Sequence, residues 1–490
     1  MPERYKNLVA GEWIESTSGE SIEDRNPADI SEVVGLFPSM TAEDAHRAVE
    51  AAAAAFRTWK ALTPIARGAI LSRAAELIRE RTEVIARDLT REMGKTIREA
   101  RGEVTRASYF FDYYGAYGRL PVGDYLPDER DGVFTFTMRE PLGVVLVIAP
   151  WNDPALTPAR KLAPALIAGN TVVLKPATLT PLSAWHLLRA LHEAGMPKGV
   201  VNMVTGPART VGNALLDHPE VKGVTFTGST AVGLGIQTRV AGRNIRVQTE
   251  MGGKNAMVVL KDADPKLAAE LAAAAGFGQS GQRCTATSRV IVERQAREAF
   301  MDAFVDTTKR ITVGSGLDES TTMGPVVDKS QLDTVLQAVE TGKREGASVA
   351  FGGERLGGSR YDRGYFVTPT VLENVSPKMT VAQEEIFGPV VAVMEAASVD
   401  AAIDIVNGTR YGLSAAVVTR SLEAAHAFAR GVDTGCVAVN LPTVGWDVHV
   451  PFGGFKDSGS PFKEHGAEGL QFYQRVKSVA MRVAGITTPQ

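Results

Sequence analysis

At 490 residues, the chain is long enough for about two to four domains, and its 44% apolar and 22% charged residues exclude a disordered or fibrous protein. Its 53 Lys and Arg against 56 Asp and Glu leave a net charge of -3, so there is no basic excess to meet a phosphate backbone or an anionic membrane. The two cysteines, Cys284 and Cys436, exclude a disulfide framework and a C-x-x-C zinc or redox pair and point to a reducing compartment.

The opening MPERYKNLVAGEWIE lacks the unbroken apolar core of a signal peptide, so a cytoplasmic protein is expected. Thr41 and Asp44 resemble a capping box, and Ala45, Val49, Ala52, Ala53 and Phe56 follow at helical spacing. Thr63 and Pro64 open a second helix, with Ile70, Leu71, Ala74, Leu77 and Ile78 on its buried face, expected to run to a break near Gly94. Residues 133–139 alternate like a strand. From Gly143 the pattern changes to short apolar runs, GVVLVIAP, TVVLKPA, VVNMVTG, GVTFTGS and NAMVVL, with helix-length segments from about Pro154, Pro181, Ala208 and Ala231 between them. That alternation predicts an open parallel sheet covered on both faces. The longest of these runs, 143–150, is far short of the roughly 20 residues that cross a bilayer. Asp264 and Pro265 start an Ala-rich helix that gives way to FGQSGQRCTA, and RVIVE, SVAFGG, PVVAVMEAA, GLSAAVVT and CVAVN then predict a second α/β domain. Residues 471–483 alternate again, and with 133–139 they are expected to lie outside both sheets, at an interface.

Several residues carry chemistry. Cys284 lies in a Gly-rich loop after a helix, where it is either a nucleophile or a small buried hydrophobe. Cys436, inside an apolar run, fits the second reading. Glu250 in TEMGGKN and Asn152 in APWNDP sit at predicted strand ends, where open α/β sheets bind ligands. The alternatives are an exposed glutamate and an asparagine capping the next helix. FTGSTAVG places Gly228 and Ser229 at a helix N-terminus, where phosphates bind readily. It lacks the G-x-G-x-x-G spacing, and Leu234 replaces the lysine of a P-loop. Lys175 ends another strand, either meeting a ribose or phosphate or standing in solvent.

Taken together, APWN, LKPA, FTGSTAVG, EMGGKN, GQRCTA, EEIFGPV and PFGGFKDSG resemble the aldehyde dehydrogenase superfamily in order and spacing over nearly the whole chain. The resemblance implies two open parallel-sheet α/β domains plus a small β oligomerisation arm. Residues 1–118 and 142–251 would form the dinucleotide-binding domain, 252–470 the catalytic domain, and 119–141 with 471–490 the arm of a homodimer or homotetramer. It further implies that Cys284 attacks an aldehyde, that Asn152 and the Cys284 amide hold the oxyanion, and that Glu250 activates water against the thioester. Pro150, Trp151, Lys175, Thr178, Gly228, Ser229, Glu385 and Phe387 would hold NAD or NADP, and no metal is implied. Thr178 stands where many NAD-preferring members carry a glutamate, which points to NADP. Asp153 replaces an aromatic residue that often lines the aldehyde tunnel, implying a polar entrance and weighing against an anionic guest. Within the superfamily the phrases look most like bacterial 2-oxoglutarate semialdehyde (2,5-dioxovalerate) dehydrogenases. Arg283, Thr285 and Phe452, with Trp446 and His449 of the 441–450 loop, are the remaining expected substrate residues. The alternatives are a broad-specificity or aromatic aldehyde dehydrogenase and, in another class, a thiol hydrolase using one of the seven histidines.

Overall fold

Continuous apolar strands need cover on both faces, and they assemble here into two helix-covered sheets in a computed structural model describing residues 2–120 and 122–482. In the first, Val144–Ile148 is central, flanked by Val221–Thr227 and Thr171–Lys175, with Arg246–Glu250 and Val201–Met203 at the edges and every pairing parallel. The chain steps outward from Val144–Ile148 through the helices Leu156–Ile167 and Leu182–Glu193, then returns to its other side at Val221–Thr227. The strand order reverses there, and a crevice opens beyond the carboxyl ends, where open sheets take their ligands. Residues 251–255 lead directly into the second sheet.

That sheet runs 348–351, 370–373, 390–396, 289–293, 256–259, 414–418, 436–439. It departs from the all-parallel expectation at one edge, where Ser348–Phe351 pairs antiparallel with Thr370–Glu373. A half-exposed edge strand needs no crossover helix beyond it, so either direction is accessible. Val258, Ile291, Ala415 and Val417 are fully buried under the covering helices.

The Thr41–Asp44 capping box is present at Ala42–Ala61. The next segment is not one helix to Gly94 but two, Pro64–Glu80 and Thr82–Met93. At Arg81 the backbone leaves helical geometry (φ -109°, ψ 13°) and its N–H bonds the Ile78 carbonyl. No Gly or Pro marks that turn. Gly94 ends the second helix in the left-handed region (φ 93°).

Outside both sheets, Val133–Pro141 pairs antiparallel with Gln474–Arg482 along its length and with Tyr125–Leu126 on its other side. The expected strand 471–483 starts later. Gln471 and Phe472 belong to the helix Gly466–Phe472, and Val483 lies outside the described residues. Phe472 and Tyr473 are buried in the core of the first sheet, and Arg246 donates to the carbonyls of Gln471 and Phe472, so the chain is still packed inward at this point. Among the described residues no helix is long and apolar enough to cross a membrane.

Candidate active site

Where Val144–Ile148 ends, residues 149–155 bend across the sheet end. The helix Leu156–Ile167 that follows has no side-chain cap of its own. Its first amides are instead met from another helix, by the Glu103 carboxylate, which accepts from the N–H of Ala155 (2.9 Å) and Leu156 (3.0 Å). The capping alternative for Asn152 is thereby corrected: its side-chain amide is left for another partner. Its carbonyl accepts from Lys95 Nζ at 2.8 Å and from Gln279 Nε2, which ties this loop to the one carrying Cys284.

After the helix Pro265–Phe277 the chain takes three consecutive left-handed residues, Gln279 (φ 53°), Ser280 (φ 55°) and Gly281 (φ 67°). Two of them carry side chains in a region that disfavours them, so the turn persists only because its surroundings hold it. The Gln279 N–H donates to Glu99 (2.6 Å) and Ser280 Oγ to the Gly324 carbonyl (2.8 Å). A Cβ at Gly281 would collide with the carbonyl of Gly388. Cys284 follows, its carbonyl fixed by Asn255 Nδ2 at 2.7 Å. Burial pushes its thiol up to about 12, with Arg160 opposing the shift.

Two cavities meet at Cys284. One, of about 480 Å³, is lined by Pro150, Trp151, Lys175, Thr178, Gly228, Ser229, Glu385 and Phe387, together with Asn152. Lys175 is buried rather than solvated; among the described residues its ammonium meets only the Pro176 carbonyl at 3.4 Å, and burial lowers it to about 8. Thr178 Oγ1 contacts the Gly206 carbonyl at 3.4 Å. Ser229 precedes the helix Thr230–Val240 without a side-chain capping bond, so its first amides keep donor capacity for an anion. Glu385 accepts from the Gly253 N–H at 3.1 Å, and burial raises its carboxyl to about 7. Phe387, at φ 57°, stands edge-on to Trp151 at 5.2 Å, and Gln331 Nε2 holds its carbonyl at 3.0 Å. A cation with no carboxylate partner among the described residues, a helix N-terminus, a carboxylate acceptor and an aromatic pair along one crevice fit a nicotinamide dinucleotide.

The other cavity, of about 410 Å³, is lined by Asp153, Arg283, Thr285, Trp446 and Phe452 among the expected residues. Asp153, Arg160 and Cys284 line both cavities. His449 lines neither: its side chain is 62% exposed, 3.7 Å from Asp447, and the 441–450 loop contributes Pro442, Val444 and Gly445 beside Trp446. Asp153 does not act as a free anion at an entrance. Lys95 Nζ sits 3.1 Å from it and also bonds the buried Glu103, while Gln279 Nε2 donates to Asp153 at 3.1 Å. Although burial opposes ionisation, Lys95 and Arg283 hold this carboxyl below its usual range. With its charge met, the objection to an anionic guest falls.

Glu250 is buried, not exposed, and lines neither cavity. Its carboxylate lies against Gly453, with no hydrogen-bond partner on either oxygen among the described residues, and burial with nearby Glu464 raises it well above the usual carboxylate range. Among the described residues, His465 is the histidine that lines the Cys284 cavity. It stacks on Phe452, and burial and Arg160 lower it to about 3, too weak a base to serve a thiol hydrolase.

Sequence reading missed Lys95, Glu99, Glu103, Arg106 and Arg160, all of which line this cavity. Glu99, Glu103 and Arg106 recur at helical spacing along Ile97–Ala116, a helix whose other face is apolar and buried, and that charged stripe was the available signal.

Two α/β sheets carry a strained thiol loop where a crevice that fits a dinucleotide meets a second cavity, the arrangement of a dinucleotide-dependent enzyme with a thiol at its centre. Residues 13–479 match the aldehyde dehydrogenase family, and the chain belongs to that family. It is similar to alpha-ketoglutaric semialdehyde dehydrogenase of Bacillus subtilis (44% identity, 98% of each chain) and to 2,5-dioxopentanoate dehydrogenase of Saccharolobus solfataricus (43%; 97% of this chain, 98% of that one). Among solved structures it is similar to betaine aldehyde dehydrogenase of Staphylococcus aureus in complex with NAD+ (33% identity, TM-score 0.95, covering 99% and 97%). It is also similar to 3,6-anhydro-L-galactose dehydrogenase in complex with NADP (34%, TM-score 0.94, 98% and 100%). The protein is an oxidoreductase acting on aldehydes with a nicotinamide cofactor.

Proposed function

We propose that this enzyme oxidises a short semialdehyde, of which 2-oxoglutarate semialdehyde is the best candidate, to the carboxylate, with NADP preferred over NAD. The observation that carries the reading is the placement of Cys284 where the dinucleotide-sized crevice meets a cavity whose wall carboxylates, Glu99, Glu103 and Asp153, are met by protein donors. The names of the similar semialdehyde dehydrogenases support the substrate. In this reading Cys284 Sγ bonds the aldehyde carbon as its proton passes to solvent, and the carbonyl oxygen becomes an oxyanion. The Asn152 side-chain amide and the Cys284 N–H stabilise that oxyanion, a contribution typically worth about 10²- to 10³-fold in rate. Nicotinamide held in the crevice by Glu385 and Phe387 would supply a hydride acceptor, and loss of hydride from the same carbon would leave a thioester on Cys284. Glu250 then takes a proton from water, which adds to the thioester carbon as the C–S bond breaks and the thiol is restored. Because Glu250 lies against Gly453, this role requires its side chain to turn toward Cys284.

Lys175 and Thr178 support the cofactor preference: a 2'-phosphate there would meet a cation and a hydroxyl, with no carboxylate at position 178 to repel it. Glu385 and Phe387 would hold the nicotinamide ribose and ring. We further assign 1–118 and 142–251 to a dinucleotide-binding domain, 252–470 to a catalytic domain, and the Val133–Pro141 and Gln474–Arg482 pair to the arm of a cytoplasmic homodimer or homotetramer. Steady-state assay of 2-oxoglutarate semialdehyde and neutral aldehydes with both cofactors tests the function. The semialdehyde with NADP should give the highest kcat/KM, Cys284→Ala should be inactive and Cys436→Ala should retain most activity. Comparable turnover of long or aromatic neutral aldehydes would overturn the substrate assignment.

A further inference from the structure

The charges around the 410 Å³ cavity are not balanced evenly. Lys95 is paired with Glu103 and Asp153, and Arg160 is paired with Glu464 at 2.7 Å. Arg283 gives its Nε to Gln279 Oε1 (2.8 Å) and has Glu99 at 4.0 Å. Arg106 differs. It lines the same cavity from the helix Ile97–Ala116, and one terminal nitrogen donates to the Trp446 carbonyl at 2.6 Å. Among the described residues it has no carboxylate partner. A guanidinium anchored by one donor keeps its remaining N–H groups in a fixed fork, matched to the two oxygens of a carboxylate. Phe110, Leu156, Trp446 and Phe452 add apolar wall suited to a short methylene chain.

We propose that Arg106 reads the distal carboxylate of the substrate, with Arg283 as a weaker second contact, so that the cavity selects short ω-oxo-carboxylates whose aldehyde end lies at Cys284. This rests on the semialdehyde reading above. The competing role for Arg106 is structural, as a latch holding the 441–450 loop through Trp446.

The test compares 2-oxoglutarate semialdehyde with an unbranched neutral aldehyde of the same carbon number, in wild type, Arg106→Gln, Arg106→Lys and Arg283→Gln, all with saturating cofactor. Gln keeps a donor for the Trp446 carbonyl while removing the charge, and Lys keeps the charge while losing the fork. For the semialdehyde, Arg106→Gln should lose about 10- to 100-fold in kcat/KM, mostly through KM, as expected for one charge-assisted contact. Arg106→Lys should recover part of that loss, Arg283→Gln should lose less, and the neutral aldehyde should change less than about threefold in both Arg106 variants. Parallel losses on both aldehydes would show a latch and overturn the proposal, as would an unchanged KM for the semialdehyde. A wild type that does not favour the semialdehyde over its neutral counterpart would instead overturn the substrate reading, and with it this inference.

Discussion

At the scale of single residues, burial sets the chemistry. Burial lowers Lys175 to about 8, so it is charged below that pH and neutral above it, and the attraction for a 2'-phosphate proposed for it should be present below about 8 and lost as pH rises through it. The NADP-to-NAD ratio of kcat/KM should therefore fall between pH 7 and 9, and Thr178→Glu should shift it toward NAD at pH 7. A carboxylate about 4 Å from the phosphate repels it by about 1 kcal/mol even at the dielectric constant of water. An unchanged ratio in Thr178→Glu would show that this position does not read the phosphate. Cys284 gives a second pH prediction. With the thiol pushed up to about 12, the reactive thiolate grows about tenfold per pH unit below that value. Alkylation of cofactor-free enzyme by iodoacetamide should rise in that proportion from pH 7 to 9, and a plateau near neutrality would contradict it. The motif residues were legible in sequence because their types and order are specific, and all eight expected cofactor residues line one crevice. The pairing of Asp153 with Lys95 was not legible, since it joins residues 58 apart in sequence through a buried contact.

Among elements, the parallel strands and their crossovers follow from hydrophobic runs and punctuation, so Val144–Ile148 and Thr171–Lys175 were readable in advance. The turn at Arg81 and the start of the last strand at Gln474 were not, because tertiary packing decides both. That second boundary changes how the arm must be tested. Deletion after Leu470 would strip Phe472 and Tyr473 from the core of the first sheet, and loss of assembly would then report unfolding. Phe134 and Met481, paired across the arm and 48% and 49% exposed, are better targets. The double variant Phe134→Glu, Met481→Glu should keep the wild-type circular dichroism spectrum yet sediment as a smaller species. Wild-type sedimentation would count against the arm as the assembly surface.

Across the whole molecule, the site exists because loops of the second half of the chain close over the carboxyl ends of the first sheet's strands. The crevice at the strand-order reversal of the first sheet brings Asn152, Lys175 and Ser229 together, while the Cys284 loop and the 441–450 loop come from the second half of the chain. Periodicity predicts each sheet but not their juxtaposition, so in the sequence only the family resemblance links Asn152, Glu250 and Cys284. The proposed mechanism passes through one covalent intermediate, an acyl group carried by Cys284 until Glu250 activates water. Intact-mass and peptide-mass measurement of Glu250→Gln, quenched in acid after mixing with 2-oxoglutarate semialdehyde and NADP, tests this directly. A burst of reduced cofactor matching the enzyme concentration and an acyl adduct confined to the peptide containing Cys284 are the expected result. Full steady turnover without an accumulated adduct, or an adduct on Cys436, would contradict it.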